Sequence, residues 1–166
     1  MTNSLSILTS YLSFKLADET YAANVNKVLN ILEMTKITKV PKAPEYMIGV
    51  INLRGTVLPL VDTRIQFGLT PTEFTVNTCI LVLDIQIGND SLQVGALVDG
   101  VQEVLEIEAH QILPSPNIGN KYHSQFISGM YKVDEDRFIM ILDMDKIFSS
   151  DELREVHVTT KEMSWY

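Results

Sequence analysis

Short alternating runs of apolar and polar residues dominate the chain. Tyr11-Leu12-Ser13-Phe14-Lys15-Leu16 puts Leu12, Phe14 and Leu16 on one face of a strand. Asp18-Glu19 predicts a turn, after which Tyr21, Ala23 and Val25 resume the alternation. Val28 to Met34 reads as a further strand. Val50 to Leu53 and Thr56 to Val61 flank Arg54-Gly55, the pattern of a hairpin with glycine at its turn. Asp62 suits the N-cap of a helix of two turns at most, ending near Gly68. A polar connector with Pro71 covers 69–78. Strands resume at Cys79 to Ile87, turn at Gly88-Asn89-Asp90, and continue at Leu92 to Val98, with Leu92, Val94, Ala96 and Val98 on one face. Val101 to Ile107 follows, then a loop from Leu113 to Asn120. Phe126 to Val133 and Arg137 to Leu142 form a second hairpin around Asp134-Glu135-Asp136. Asp143 suits the cap of a second short helix through Phe148.

The pattern occurs twice. Val25 to Glu33 matches Val98 to Glu106 at an offset of 73 residues, and Pro41 falls on Pro114 at that offset. Gly49 through the first hairpin to Asp62 matches Gly129 through the second hairpin to Asp143, and a phenylalanine follows each aspartate five residues on, Phe67 or Phe148. Two similar halves of about five strands each are expected, and five short strands close most naturally into small barrels, because closure removes exposed edges. The fold class is therefore all-β with short helices.

Length adds that 166 residues suffice for one domain with a sizeable core. A single cysteine excludes an intramolecular disulfide, and three scattered histidines disfavour a zinc site. Thirteen Lys and Arg against 21 Asp and Glu give a net charge of −8, which disfavours nucleic acid as a partner. Apolar runs stop at about five residues, far short of the ~18 of a membrane span, and the N-terminus lacks a signal-peptide pattern. A soluble cytoplasmic protein without direct membrane insertion is expected. Residues 1–10 and 149–166 read as flexible tails, the latter ending in Trp165-Tyr166.

No catalytic constellation emerges. The histidines His110, His123 and His157 lack partners at metal-ligand spacing, and Cys79 opens an apolar strand, where a buried inert thiol is expected. G-x-S-x-G, P-loop, G-x-G-x-x-G and H-E-x-x-H are missing. Asp62 and Asp143 are explained as helix caps, and the 134–136 turn lacks the calcium-loop pattern. No enzyme activity, metal or cofactor is expected. What remains suits protein contacts. Thr35 to Tyr46 carries three lysines and two prolines, so it should run over the surface with Ile37 or Val40 packed beneath. Arg54 places a guanidinium at a hairpin turn, where it could bridge carboxylates inside the fold or across an interface.

Gly49-Val50-Ile51-Asn52-Leu53-Arg54-Gly55-Thr56-Val57-Leu58-Pro59-Leu60-Val61-Asp62 resembles the signature of the CheW family of chemotaxis coupling proteins. Ile37-Thr38-Lys39-Val40-Pro41 resembles the family's approach to it, and Val98-Asp99-Gly100-Val101 its second-half motif. The resemblance runs from about Tyr11 to Phe148. It implies two five-stranded SH3-like β-barrels within a single domain over 11–148. One half, about 19–68, should face the kinase; the other should comprise about 78–148 plus the 11–18 strand. It also implies a non-enzymatic adaptor that joins methyl-accepting chemotaxis receptors, held at their cytoplasmic tip, to the regulatory domain of the CheA histidine kinase. Recruitment to receptor arrays at the inner membrane follows from that role. Alternatives are a coupler of a non-flagellar chemosensory pathway and a small-ligand-binding β-barrel.

By position, the resemblance assigns kinase binding to Asn52, Leu53, Arg54 and Gly55, and a receptor groove to Leu12, Val25, Val28, Ile31 and Val101. Val25, Val28 and Ile31 are three residues apart, which a regular strand cannot place on one face; a bend or helical turn near Asn26-Lys27 would be required. Many family members carry a glutamate where this chain has Asn30, able to pair with the arginine of the turn. Here that ion pair is not expected, which leaves Arg54 available to a partner's carboxylate.

Overall fold

The computed structural model describes residues 7–71, 73–115 and 126–148. The two expected tails therefore lie largely outside the described residues, as do His123, His157, Trp165-Tyr166 and the loop beyond Ser115. Strands β1 (Leu8–Leu16) and β2 (Glu19–Asn24) form a hairpin. A single 3-10 turn, Val25–Lys27, leads into β3 (Val28–Glu33), followed by β4 (Met47–Leu53), β5 (Thr56–Asp62) and helix α1 (Thr63–Gln66). Then come β6 (Cys79–Ile87), β7 (Asp90–Val98), β8 (Gly100–Glu108), β9 (Ile112–Leu113), β10 (Ile127–Asp134), β11 (Arg137–Leu142) and helix α2 (Met144–Phe148). The expected elements are present, with small shifts: the first turn is Ala17-Asp18, and α1 is a single turn.

The strands form two curled, barrel-like sheets, in the order β8-β1-β2-β11-β10-β9 and β3-β6-β7-β5-β4. The second order reproduces the first, strand for strand, apart from the two-residue β9. The repeat seen in the sequence fixes the register. Ile141 pairs with Ala22 and Leu142 with Ala23 in one sheet; Leu60 pairs with Gly95 and Val61 with Ala96 in the other. These pairs are related by the same two offsets, 81 and 73, that align the sequence repeats.

The sheets do not divide the chain as expected, however. The 19–68 and 78–148 halves break across them, because β2 joins β1 and β11, while β6 and β7 join β3 and β5. Each sheet takes its hairpin from one repeat and its remaining strands from the other. The cause lies in the connections: three residues between β2 and β3, and Asp99 alone between β7 and β8, carry the chain from one sheet to the other.

This exchange builds three cores. The largest lies between the sheets and draws Leu12, Phe14 and Leu16 from β1, Leu81, Leu83 and Ile85 from β6, and Val94, Ala96 and Val98 from β7. Ile51, Leu58, Leu60, Ile80, Val82 and Leu97 fill one barrel; Ala22, Ile107, Ile139 and Ile141 fill the other. Strand β6 is buried on both faces, which accounts for its unbroken apolar run. Its odd-numbered residues face the shared core, and Ile80 and Val82 face the barrel.

Both helices are capped as expected. The Arg64 N–H donates to Asp62 Oδ1 at 3.0 Å, and the Lys146 N–H donates to Asp143 Oδ1 at 3.1 Å. The 35–46 segment runs outside β4, pairing only at Thr38 with Val50, and packs Ile37 and Val40 inward. A Cβ at Gly49 would strike the Thr38 carbonyl and Ile37, and one at Gly129 would strike Ile112. These equivalent approaches align Ile37-Thr38 with Ile112-Leu113, an offset of 75 rather than the 73 read from Pro41 and Pro114.

Candidate functional site

The first candidate surface is the tip of the β4–β5 hairpin. Arg54 has φ 53° and Gly55 φ 85°, the positive pair of a two-residue type I′ turn, whose twist matches the flanking strands. The Gly55 N–H donates to Asn52 Oδ1 at 2.7 Å, so Asn52 locks the turn. Leu53 is half-buried against the barrel core, while Asn52, Arg54 and Gly55 are exposed. Arg54 takes part in none of the ion pairs among the described residues. Asn30 does not reach it; its Oδ1 accepts the Ile31 N–H at 2.8 Å. An arginine at positive φ costs about 1 kcal/mol relative to glycine. The turn would close as well without it, so what the position gains is an exposed guanidinium on a rigid base.

The second surface consists of two equivalent apolar stripes, one on each of the edge strands β3 and β8. The 3-10 turn at Val25–Lys27 is the expected bend, and it brings Val25 and Val28 against the shared core. A β-bulge between Val28 and Asn30 then re-aims the strand, so that Val28 opposes Leu83 and Ile31 opposes Leu81. Both partners face the shared core, so Val28 and Ile31 share that face despite their spacing of three. The same device recurs in β8. A bulge places Val101 opposite Phe14 and Val104 opposite Leu12. Val25, Val28 and Val101 are half-buried against the core, and Ile31 is 45% exposed. Leu12 is only 5% exposed and belongs to the core beneath the stripes rather than to their surface. Sequence reasoning missed Val104, 56% exposed, although the 73-residue offset maps Ile31 onto it.

The second-half motif has a structural role. Val98 is buried in the shared core, and Gly100 opens β8. Asp99 Oδ2 accepts three donors: the Ala17 N–H at 2.6 Å, Arg64 Nε at 2.8 Å and Arg64 Nη2 at 2.7 Å. The hydrogen bond that Arg64 donates to Asp99 raises the pKa of Arg64 further, keeping it cationic. Around this pair lies a cavity of about 450 Å³ lined by polar groups that include Lys15, Asn77 and Gln102. A charge-reversed counterpart joins the other repeat. Lys27 Nζ lies 2.7 Å from Asp145 Oδ2 on α2, and Asp145 Oδ1 accepts the Gln86 N–H at 2.9 Å. Each clamp ties a helix and the end of a hairpin strand to the link that passes between the sheets. Neither Arg64 nor the Lys27–Asp145 pair was singled out from sequence, since both pairs are long-range.

Among the described residues no group of His, Cys, Asp or Glu could hold a metal ion, and no helix is long and apolar enough to cross a membrane. The geometry offers rigid surfaces on paired barrels, which defines the class of a scaffold for protein contacts. Comparison with known proteins gives the same answer. The CheW-like domain pattern matches residues 10–152. The chain is 35% identical over 156 residues to the chemotaxis protein CheW of Rhizobium meliloti (strain 1021), covering 92% of this chain and 97% of that one. It is 31% identical over 151 residues to the chemotaxis protein CheW of Klebsiella aerogenes, covering 91% and 88%. The crystal structure of the scaffolding protein TtCheW from Thermoanaerobacter tengcongensis aligns with a TM-score of 0.76 at 28% identity, covering 92% and 95%. The chain belongs to the CheW-like family and is a chemotaxis coupling adaptor.

Proposed function

We propose that this chain joins methyl-accepting chemoreceptors to a CheA-type histidine kinase, and that it does so without catalysing a reaction. The observation that carries this reading is the Asn52–Gly55 turn, where a guanidinium with no ion-pair partner among the described residues is held at positive φ by a side-chain lock. In this reading the turn, on the five-stranded sheet, meets a carboxylate on the kinase's regulatory domain. The stripes of Val25, Val28 and Ile31 and of Val101 and Val104 take the apolar face of the receptor's cytoplasmic helical tip. The protein then works in the cytoplasm and is recruited to receptor arrays at the inner membrane through these contacts.

Titration against the kinase's regulatory domain, with circular dichroism melts as the folding control, tests the first contact. Wild type should bind, and folded Arg54→Glu should lose at least tenfold in affinity. An Arg54→Glu variant that binds like wild type would remove the turn from the interface.

A further inference from the structure

Beyond the apolar stripes lies a feature that the assigned surfaces leave unused. Glu33 opposes Cys79, and Ile31 opposes Leu81, so Glu33 shares the face of Ile31 two residues further along β3. On β8, Glu106 opposes Ser10 and Val104 opposes Leu12, so Glu106 stands in the same relation to Val104. The two glutamates are equivalent under the 73-residue repeat. Both are exposed, and neither joins an ion pair among the described residues. Two neighbouring charges are already engaged: Lys27 holds Asp145, and Glu108 lies 3.2 Å from His110. Each stripe therefore runs from the shared core out to solvent and ends in an unpaired carboxylate.

We propose that Glu33 and Glu106 are specificity determinants of the groove, selecting an amphipathic helical partner that carries a lysine or arginine beyond each end of its apolar stripe. The inference rests on the groove reading above and names the partner's charge pattern. Charge complementarity selects such a partner. A protein of net charge −8 repels acidic partners in general, but two carboxylates at equivalent ends of an apolar surface discriminate by position as well as by sign. A partner with acidic flanks would bring like charges together at both ends, which weakens its binding relative to a basic one. Arginine suits the role better than lysine, because its planar fork engages a carboxylate bidentately.

The test uses two synthetic helical peptides with identical leucine-rich apolar faces, one flanked by arginine and one by glutamate, titrated by fluorescence anisotropy. Wild type should favour the arginine-flanked peptide by about twentyfold, about fivefold per glutamate, as partly exposed ion pairs allow. The preference should collapse in roughly 1 M salt, where the screening length is about 3 Å. Glu33→Gln and Glu106→Gln should each lose part of it, and Glu33→Lys with Glu106→Lys should invert it. All these positions are exposed, so folding is not at risk. Ile31→Asp with Val104→Asp separates the two levels of the argument. If that variant loses both peptides while wild type binds the two equally, the groove stands and the glutamates are idle, which overturns the inference. If it binds like wild type, the groove reading itself fails and the inference with it.

Discussion

Asp99 is the residue whose loss should be felt furthest from its own position. Its Oδ2 holds the Arg64 guanidinium through two nitrogens and also accepts the Ala17 N–H. Ala17 itself sits at φ 55°, a conformation costly for alanine, and this bond helps to hold it. Asp99→Ala leaves a guanidinium that is 20% exposed without its carboxylate and a backbone donor without its acceptor. Breaking a fully buried pair costs about 3–5 kcal/mol. Partial exposure lets Arg64 swing toward water, while the orphaned N–H adds about 1 kcal/mol. The balance is a loss of about 2–3 kcal/mol, a fall in Tm of roughly 5–10 °C for a chain of this length. Asp99→Asn keeps an acceptor for Ala17 and loses only the charge, so it should cost about 1 kcal/mol. Thermal melts of the single variants and of Asp99→Ala with Arg64→Ala give the coupling energy, expected above about 1 kcal/mol. An Asp99→Ala variant melting within about 1 °C of wild type would refute the clamp.

Arg54→Gly relieves a positive-φ side chain and should raise stability by up to about 1 kcal/mol in urea titrations while weakening kinase binding; loss of stability would show that the side chain supports the fold. Gly49→Ala drives a methyl into the Thr38 carbonyl and Ile37, and should lower the urea midpoint by the equivalent of about 2–3 kcal/mol. Gly55→Ala meets nothing within 4 Å and should cost only the positive-φ strain, about 1 kcal/mol. Desolvation raises the Cys79 thiol above its ordinary 9.0, although a hydrogen bond involving the Val101 backbone acts the other way. The folded state therefore favours the neutral thiol. That stability is complete below the unfolded pKa and is lost as the pH rises through the folded one. Iodoacetamide at pH 8 should label Cys79 much more slowly in the native protein than in urea.

Much of this was readable in the chain, because the signals were local. Alternation along β1 and β7, the Arg54-Gly55 turn and the Asp62 and Asp143 caps each depend on a few neighbouring residues. The spacing of Val25, Val28 and Ile31 even demanded a bend that the 3-10 turn supplies, although the bulge at Leu29 that completes the alignment carries no sequence mark. Sheet membership was not readable. The 69–78 connector looks like a boundary, yet the sheets exchange strands across it through the far less conspicuous links at 25–27 and Asp99. Long-range ion pairs were equally hidden: nothing in the sequence joins Arg64 to Asp99 or Lys27 to Asp145. Leu12 illustrates the limit for surfaces, since its apolar character fits both a groove and the core that it occupies.

Coupling is the central claim, and a three-component retention assay tests it most directly. A receptor-tip helical hairpin is immobilised, and the kinase's regulatory domain is passed over it with and without this protein. The kinase domain should be retained only when the protein is present. Arg54→Glu should stay on the receptor tip but release the kinase domain, and Ile31→Asp with Val104→Asp should bind the kinase domain but leave the receptor tip. Failure of the folded wild type to retain the kinase domain, or retention unchanged by both variants, would contradict the account.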